Sequence, residues 1–530
     1  MKTLIALLVC VLSATLAGAQ PKHVIVVMVD DLDVATTQEM LATGLLPTLQ
    51  ARFVTPGVTL AQHVASDPRC CPARAMFLTA QYPHNSGVRD QLSLPLLRED
   101  LALPCALPAS YWSVFVGKYL NGYGSDATEP VSHPRNPLHR PPCWSHWEGL
   151  LDFTTYTAYD YMIHDSVNGQ STITDHRPFG AVAWNYSTDM LTIRSLFAMS
   201  EAHDRGQPLF LVVNYVAPHF HAESRDSTRL VNLCQDTAGL RAPFTTTDNL
   251  FGVAQHAAPR YEGTLADNPL YNMQLSPAFN EADVSDKAAW MQARPSLTAP
   301  DLACLQKQDR RRKESMRAVD DGLAAIFGLL DAYGWTQNTY VVFTSDNGFL
   351  RGEHRLTEKT VFYRESRTVP LYVRGPGLTP RTVTQLTSHA DLAPTLAAWT
   401  GATLKAPADG RSLMPLLTGA AVTWRNGLLL ESYGNTIIDG GLSGVLGDYP
   451  IPPTDLYGLV TVQPPRLYIG ASDTQGAELY DLSTDPFEQQ NIASDPSRST
   501  ELTALNAALT ALRSCAGLLC ILTEALLHVP

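Results

Sequence analysis

His23-Val24-Ile25-Val26-Val27-Met28-Val29 runs directly into Asp30-Asp31. A nearly unbroken β-branched run that stops on two carboxylates belongs to a strand covered on both faces, as in parallel sheets. Pro208 to Val216 (PLFLVVNYV) and Thr339 to Thr344 (TYVVFT) repeat the pattern. The first leads to Pro218-His219 and the second to Ser345-Asp346-Asn347-Gly348. Between them Ser315 to Tyr333 (SMRAVDDGLAAIFGLLDAY) has apolar residues at helical spacing and stops at Gly334. Strand and helix alternate, so the expected fold is α/β, a large mostly parallel sheet flanked by helices. In such sheets functional groups gather beyond the carboxyl ends of the strands. Here those ends carry Asp30, Asp31, His219, Asp346 and Asn347.

The chain behind these strands has 530 residues, 45% of them hydrophobic, which excludes wholesale disorder. Its 38 Lys+Arg against 51 Asp+Glu give a net charge of −13, which argues against a nucleic-acid binder. An anionic small substrate stays open, because a few local cations can dominate one pocket.

Met1-Lys2, the apolar stretch Leu4 to Leu16 and the small residues Ala17-Gly18-Ala19 read as a signal peptide over residues 1–19, cleaved after Ala19. The segment is too short for a comfortable membrane span, and no later run approaches one. The expected location is therefore secreted or extracellular, with a periplasmic or cell-wall space possible. Removing the leader takes Cys10 with it and leaves cysteines at 70, 71, 105, 143, 234, 304, 515 and 520. In an oxidising compartment these read first as disulfides. With the adjacent pair 70/71 set aside, Cys515–Cys520 is expected as a short local loop and the other four pair among themselves. Asn185-Tyr186-Ser187 is a glycosylation sequon.

Residues 125–180 and 222–300, richer in Pro, His, Asn and Thr, read as long excursions from the sheet. After Asp391-Leu392-Ala393-Pro394-Thr395 the texture turns to short Gly- and Pro-punctuated strands around Leu428 to Leu430 and Leu459 to Val462. The expected division is a catalytic domain over 20–405 and a C-terminal subdomain with a small antiparallel sheet over 406–530.

The chemistry begins at Asp67-Pro68-Arg69-Cys70-Cys71-Pro72-Ala73-Arg74, followed by Ala75-Met76-Phe77-Leu78-Thr79-Ala80. Pro72 suits the first position of a helix, which puts Cys70 at its positive end and Arg74 one turn inside. Such an end is an anion site. On its own, a capping thiol with a surface arginine would look the same.

Cys-X-Pro-X-Arg followed by Ala-X-Phe-Leu-Thr-Ala resembles the signature of the type I sulfatases, in which the first cysteine is oxidised to formylglycine. The double Cys-Cys-Pro-Ala-Arg is similar to the branch of algal arylsulfatases and N-acetylglucosamine-6-sulfatases. The resemblance runs almost the length of the chain. It takes in Val29-Asp30-Asp31, Gln81-Tyr82-Pro83-His84-Asn85, Gly117-Lys118-Tyr119-Leu120-Asn121 and Ala217-Pro218-His219. Further on it takes in Ser345-Asp346-Asn347-Gly348, Glu353-His354 to Glu365, Val369-Pro370-Leu371, Arg374-Gly375-Pro376-Gly377 and Glu478-Leu479-Tyr480-Asp481-Leu482.

The resemblance implies an alkaline-phosphatase-like fold and a sulfuric ester hydrolase. It implies Asp30, Asp31, Asp346, Asn347 and residue 70 as ligands of a Ca²⁺ ion, a hard-oxygen set of the kind that cation takes. It assigns Arg74, Lys118 and Lys359 to the sulfate oxygens, and His219, with His221 as its rival, to protonation of the leaving alcohol. Cys70, matured to formylglycine (3-oxoalanine) by a formylglycine-generating enzyme, would be the nucleophile. As a geminal diol, with Asp346 as the candidate activating carboxylate, it would attack sulfur and then expel inorganic sulfate by collapsing to the aldehyde. A second histidine common in the family is replaced by Leu120, so the base for that last step stays open, with His354 and His389 as remote candidates.

The expected substrate is an aryl sulfate, or a saccharide sulfate ester in the alternative. A formylglycine-dependent phosphodiester or phosphonate monoester hydrolase is the runner-up. A noncatalytic binding protein would require Cys70 to be disulfide-bonded.

Overall fold

The computed structural model describes residues 22–125, 136–152, 154–179, 182–219, 257–266, 268, 271, 273–433, 455–471 and 476–530. The leader, His221 and Cys234 lie outside them. Eight strands come first: β1 (His23–Val29), β2 (Val58–Val64), β3 (Trp112–Gly117), β4 (His146–Leu150), β5 (Met162–Val167), β6 (Gln170–Asp175), β7 (Leu209–Asn214) and β8 (Thr339–Ser345). A two-stranded ribbon, β9 (Leu350–Arg351) with β10 (Thr357–Glu358), follows, then β11 (Leu371–Arg374) and β12 (Arg381–Ser388). All but the ribbon join one ten-stranded sheet in the order β12-β2-β11-β8-β1-β7-β3-β4-β5-β6. Its middle, β8-β1-β7-β3-β4, is parallel, while β11 runs against both β8 and β2, and β4-β5-β6 is antiparallel. The sheet is therefore mixed, with the expected parallel part at its centre.

The opening run of valines lies in the middle of that sheet, and residues 24–29 have no solvent exposure. Its alternation divides the core. Val24, Val26 and Met28 face the helix Cys70–Thr79 and the helix Leu392–Thr400. Ile25, Val27 and Val29 face the helices Ser187–Arg205 and Ala299–Ala332. Two apolar faces on one strand demand cover on both sides, which gives the three-layer α/β/α arrangement.

The long helix starts at Ala299, sixteen residues before the apolar spacing at Ser315 suggests. Thr298 and Asp301 close a capping box at its start. Its first half reads as polar because the side chains it buries are charged. Asp309, Arg312 and Lys313 are each 1% exposed.

Residues 125–180 are not an excursion from the sheet as expected: β4, β5 and β6 extend it. β5 and β6 form a hairpin whose turn is Asn168-Gly169, both with positive φ (52° and 79°). Asn-Gly between alternating segments is a strong hairpin signal and was legible in the sequence.

The C-terminal part holds a four-stranded antiparallel sheet, β13 (Gly427–Ser432), β14 (Leu456–Val462), β15 (Pro465–Ile469) and β16 (Glu478–Asp481), with the helices Ser499–Leu512 and Leu518–Leu526. Both expected strands fall inside β13 and β14. Leu428, Leu459 and Tyr480 of this sheet share a core with Met76, Phe362 and Tyr363.

Cys515–Cys520 is bridged as expected, and so are Cys105 and Cys143. The glycosylation sequon is a correction. Asn185 has no exposure, and its amide donates to the carbonyls of Tyr159 (2.8 Å) and His176 (3.2 Å). A glycan cannot be carried on an amide held inside the fold.

Candidate active site

Four strands of the sheet (β1, β3, β7 and β8), the β10 ribbon and one helix end converge at the carboxyl edge of the central strands. The helix Cys70–Thr79 begins at Cys70 itself, two residues before the start that Pro72 suggested, so the thiol sits in its first turn. There the unpaired N–H groups favour negative charge. Cys70 is fully buried and free, and so is Cys71. A free Cys70 rules out the disulfide-bonded binding protein.

Asp30 and Asp31 leave the end of β1. Asp30 lies beneath the thiol, with Cys70 Sγ 3.5 Å from its Oδ1. Its Oδ2 takes the ammonium of Lys118, which follows β3, and lies 3.5 Å from Arg74 Nη2. Burial pushes the Asp30 carboxyl up, but Lys118, His219 and Arg74 outweigh it and hold it below its ordinary value. Asp31 stands in the left-handed region at φ 65°. Its Oδ1 accepts from Asn347 Nδ2 at 2.6 Å and from the Lys359 ammonium. Burial is again opposed, by Lys359 and His219, and Asp31 settles at about 2.

Lys359 follows β10 and stands among anionic and polar atoms from three segments. Its Nζ donates to Asp31, to Cys70 Sγ at 3.0 Å and to Asn347 Oδ1 at 3.5 Å. Arg74, 1% exposed, donates from Nε to Asp346 Oδ2 (2.8 Å) and from Nη1 to the Lys118 carbonyl (2.9 Å). Its Nη2 makes no hydrogen bond among the described residues.

His219 follows β7 with Nε2 3.5 Å from Asp31 Oδ2. Burial pulls its imidazole down to about 4, against the pull of Asp31 and Asp30. The Cys70 thiol is pushed up to about 11 by burial and by Asp30. A buried, protonated thiol is a poor nucleophile.

All nine residues expected at the site are brought to this edge, with one difference of role. Asp346 accepts from the N–H groups of Asp31 (3.2 Å) and Asn347 (2.8 Å) and from Arg74, whereas Asp30 is the carboxylate within reach of residue 70. His354 and His389 do not reach the cluster. His354 Nδ1 donates to Glu281 at 2.6 Å, and His389 Nε2 donates to the Ser345 carbonyl behind the strand end.

Tyr156 was not legible. Its ring centroid lies 4.5 Å from that of His219 and 4.6 Å from Lys118 Nζ, so one side chain spaces two functional groups. It sits in the connection between β4 and β5, where no residue pattern marks it.

The arrangement suits a metal ion. Asp30, Asp31, Cys70 and His219 each bring a ligand atom within 4.8 Å of the others. Asp31 Oδ2 is buried with no hydrogen-bond partner among the described residues, and the Lys359 ammonium stands amid the rest of the donors as a cation would. Carboxylate and amide oxygens are the donors that Ca²⁺ and Mg²⁺ take.

Comparison with known proteins gives a concordant result. Residues 22–402 match the family model described as Sulfatase, and residues 352–515 match the one described as N-sulphoglucosamine sulphohydrolase, C-terminal. The chain is 28% identical to a Capra hircus protein named N-acetylglucosamine-6-sulfatase, covering 96% of this chain and 86% of that one. It is 27% identical to a Volvox carteri protein named arylsulfatase, covering 98% and 78%. Among solved structures, a phosphonate monoester hydrolase from Silicibacter pomeroyi superposes with a TM-score of 0.67 at 21% identity, covering 93% of this chain and 95% of that one.

Proposed function

This chain belongs to the sulfatase family and is a sulfuric ester hydrolase, and from that premise we propose that it is an arylsulfatase whose nucleophile is Cys70 matured to formylglycine. The observation that carries the assignment is Cys70 in the first turn of a buried helix, with Asp30 beneath its side chain and Lys359 against it. Oxidation to the hydrated aldehyde would replace a poorly ionised thiol with two hydroxyls, one to attack sulfur and one to release it. Cys70 has no exposure in the folded chain, so a modifying enzyme would meet the segment before folding closes over it.

Asp30, Asp31, Asp346, Asn347 and residue 70 would hold a Ca²⁺ ion, with Asp346 also accepting from the N–H groups of Asp31 and Asn347. Bound there, the ion would neutralise sulfate oxygens and make sulfur more electrophilic. Arg74 offers Nη2 to a sulfate oxygen, and Lys118 and Lys359 supply charge where the transition state gathers it. Asp30 accepts the proton from the attacking group. His219 gives a proton from Nε2 to the departing oxygen. A bound sulfate monoester adds negative charge beside that imidazole and raises its affinity for the proton it must donate.

A sugar sulfate is the second reading, favoured by one residue. Leu120 stands where many family members have a histidine, and Asn121 follows it, as in the glucosamine-6-sulfatase branch. The aryl reading leans on two stretches similar to the algal forms, Cys70-Cys71-Pro72-Ala73-Arg74 and Gly352-Glu353-His354-Arg355. Arg355 spends its guanidinium on the carbonyls of Glu281, Ala282 and Arg294. Secretion is supported by the leader and by the disulfides Cys105–Cys143 and Cys515–Cys520, and no helix among the described residues is long and apolar enough to cross a membrane.

Two measurements test the proposal. Mass analysis of the peptide holding Cys70 should find an aldehyde in place of the thiol, and an unmodified Cys70 in active enzyme overturns the nucleophile. Rates on an aryl sulfate, N-acetylglucosamine 6-sulfate and an aryl phosphodiester should rank the aryl sulfate first. A preference for the sugar would select the second reading, and a preference for the diester would remove both.

A further inference from the structure

We propose that Arg312 is a positioning residue for the cation site, holding Asp31 in ligand geometry from the opposite face of the sheet. The proposal rests on the reading of Asp31 as a cation ligand.

Asp31 is the one expected ligand whose backbone is strained. A φ of 65° is costly for any residue with a Cβ and persists only where the surroundings hold it. Its N–H is held by Asp346 Oδ1 at 3.2 Å, and the next N–H, of Leu32, by Ser345 Oγ at 2.9 Å. Its buried carbonyl accepts from Arg312 Nη2, and no other hydrogen bond to that oxygen is made among the described residues. Without Arg312 a buried carbonyl would lose its partner. The turn that aims the Asp31 carboxylate would then lose one of these three backbone anchors.

Arg312 lies in the helix Ala299–Ala332, across the sheet from Cys70, and is 1% exposed. Its guanidinium lies 3.8 Å over the Phe349 ring, and Nη2 is 4.0 Å from Asp33 Oδ2. Asp33 caps the next helix through the Thr36 N–H (2.7 Å). One guanidinium thus ties the strained residue to the helix that follows it. Nε and Nη1 make no hydrogen bond among the described residues, although both are buried. Buried arginines usually pair more of their N–H groups. The neighbouring cations do so more fully: Lys313 pairs with Glu39 and Asp309 at 2.7 Å, and Arg351 pairs with the same two carboxylates at 2.9 and 3.1 Å. Arg312 carries the cost of burial to reach one carbonyl.

The test is calorimetric titration of the chelator-treated, full-length enzyme with Ca²⁺ alone, beside melting temperature and kcat. Arg312→Met should weaken Ca²⁺ binding by about ten- to a hundredfold, the range for outer partners of a metal ligand. Arg312→Lys, which keeps a donor and the charge, should recover part of it. A purely structural role would lower the melting temperature of both variants and leave the Ca²⁺ affinity of the folded protein unchanged. Equal affinity in wild type and Arg312→Met overturns the proposal. If Arg312→Met does not fold, Phe349→Leu removes only the surface beneath the guanidinium. It should weaken Ca²⁺ binding measurably, and unchanged binding overturns the proposal equally. A wild type that binds no Ca²⁺ would instead sink the ligand reading, and the proposal with it.

Discussion

Cys70 and Cys71 are adjacent, buried and unbridged, yet their surroundings separate them. Cys71 points away from the carboxylates: its sulfur accepts from the Asn121 N–H at 3.1 Å and donates to the Gln91 carbonyl at 3.5 Å. That side chain packs the helix against the loop after β3, while Cys70 faces Asp30 and Lys359. Residue types with strong chemical preferences made most of this site legible: paired aspartates at a strand end, a cysteine before a helical proline, Asp-Asn-Gly after a second strand. Tyr156 and Arg312 were not, because a tyrosine in a loop and an arginine in a helix acquire their roles only from what folds against them. His219 was legible by position alone, and its role has a specific signature. A residue that protonates the leaving oxygen matters most when that oxygen is a strong base. His219→Ala should therefore lower kcat by about 10²–10⁴-fold on alkyl or sugar sulfates and by far less on nitrophenyl sulfate. Equal losses across leaving groups would show that His219 binds sulfate and transfers no proton.

At the scale of elements, the parallel centre was readable and the strand β4 beside it was not. Buried β-branched runs identify β1, β7 and β8 without reference to their neighbours. β4 (His146-Trp147-Glu148-Gly149-Leu150) has no such run, and its polar residues are buried against other polar residues. His146 lies between three carboxylates: Glu201 at 2.9 Å, Asp165 at 3.3 Å and Glu148 at 3.4 Å. Arg194 pairs with Glu148 in the same group. Glu201 and Arg194 belong to the helix Ser187–Arg205, so this cluster clips the edge strands to the helix across them. Burial pulls the imidazole down, but Asp165, Glu148 and Glu201 together raise it from 6.5 to about 9. A histidine whose folded value is raised stabilises the fold fully below 6.5, and that contribution is lost as pH climbs through about 9. The melting temperature of wild type should exceed that of His146→Gln by most near pH 6, with the gap closing towards pH 10. A gap independent of pH would mean that the imidazole is held neutral and the clip is not ionic.

For the whole molecule, a net charge of −13 suggested that a few cations would have to make a local positive pocket. The structure modifies that picture. Arg74, Lys118 and Lys359 are indeed gathered, but each is already paired with a carboxylate, Asp346, Asp30 and Asp31 respectively. Three cations against three anions leave the site close to neutral, in a protein whose overall field repels anions. A bound divalent cation would change that balance: it would supply the positive excess that a sulfate monoester requires, and would compete with Lys118 and Lys359 for the carboxylates they now neutralise. Those two ammonium groups would then be available to the substrate. Metal binding would then both attract the ester and free Lys118 and Lys359 to grip it. Chelation should therefore abolish turnover. It should also lower the melting temperature, because an ion bound only by the native state adds stability of about RT ln(1 + [ion]/Kd). Both should return on adding Ca²⁺, with the return of activity tracking the return of thermal stability along one titration curve. Full activity after exhaustive chelation would mean that the three cations bind sulfate unaided, and the pairing with Asp30, Asp31 and Asp346 would then have to break on substrate binding alone.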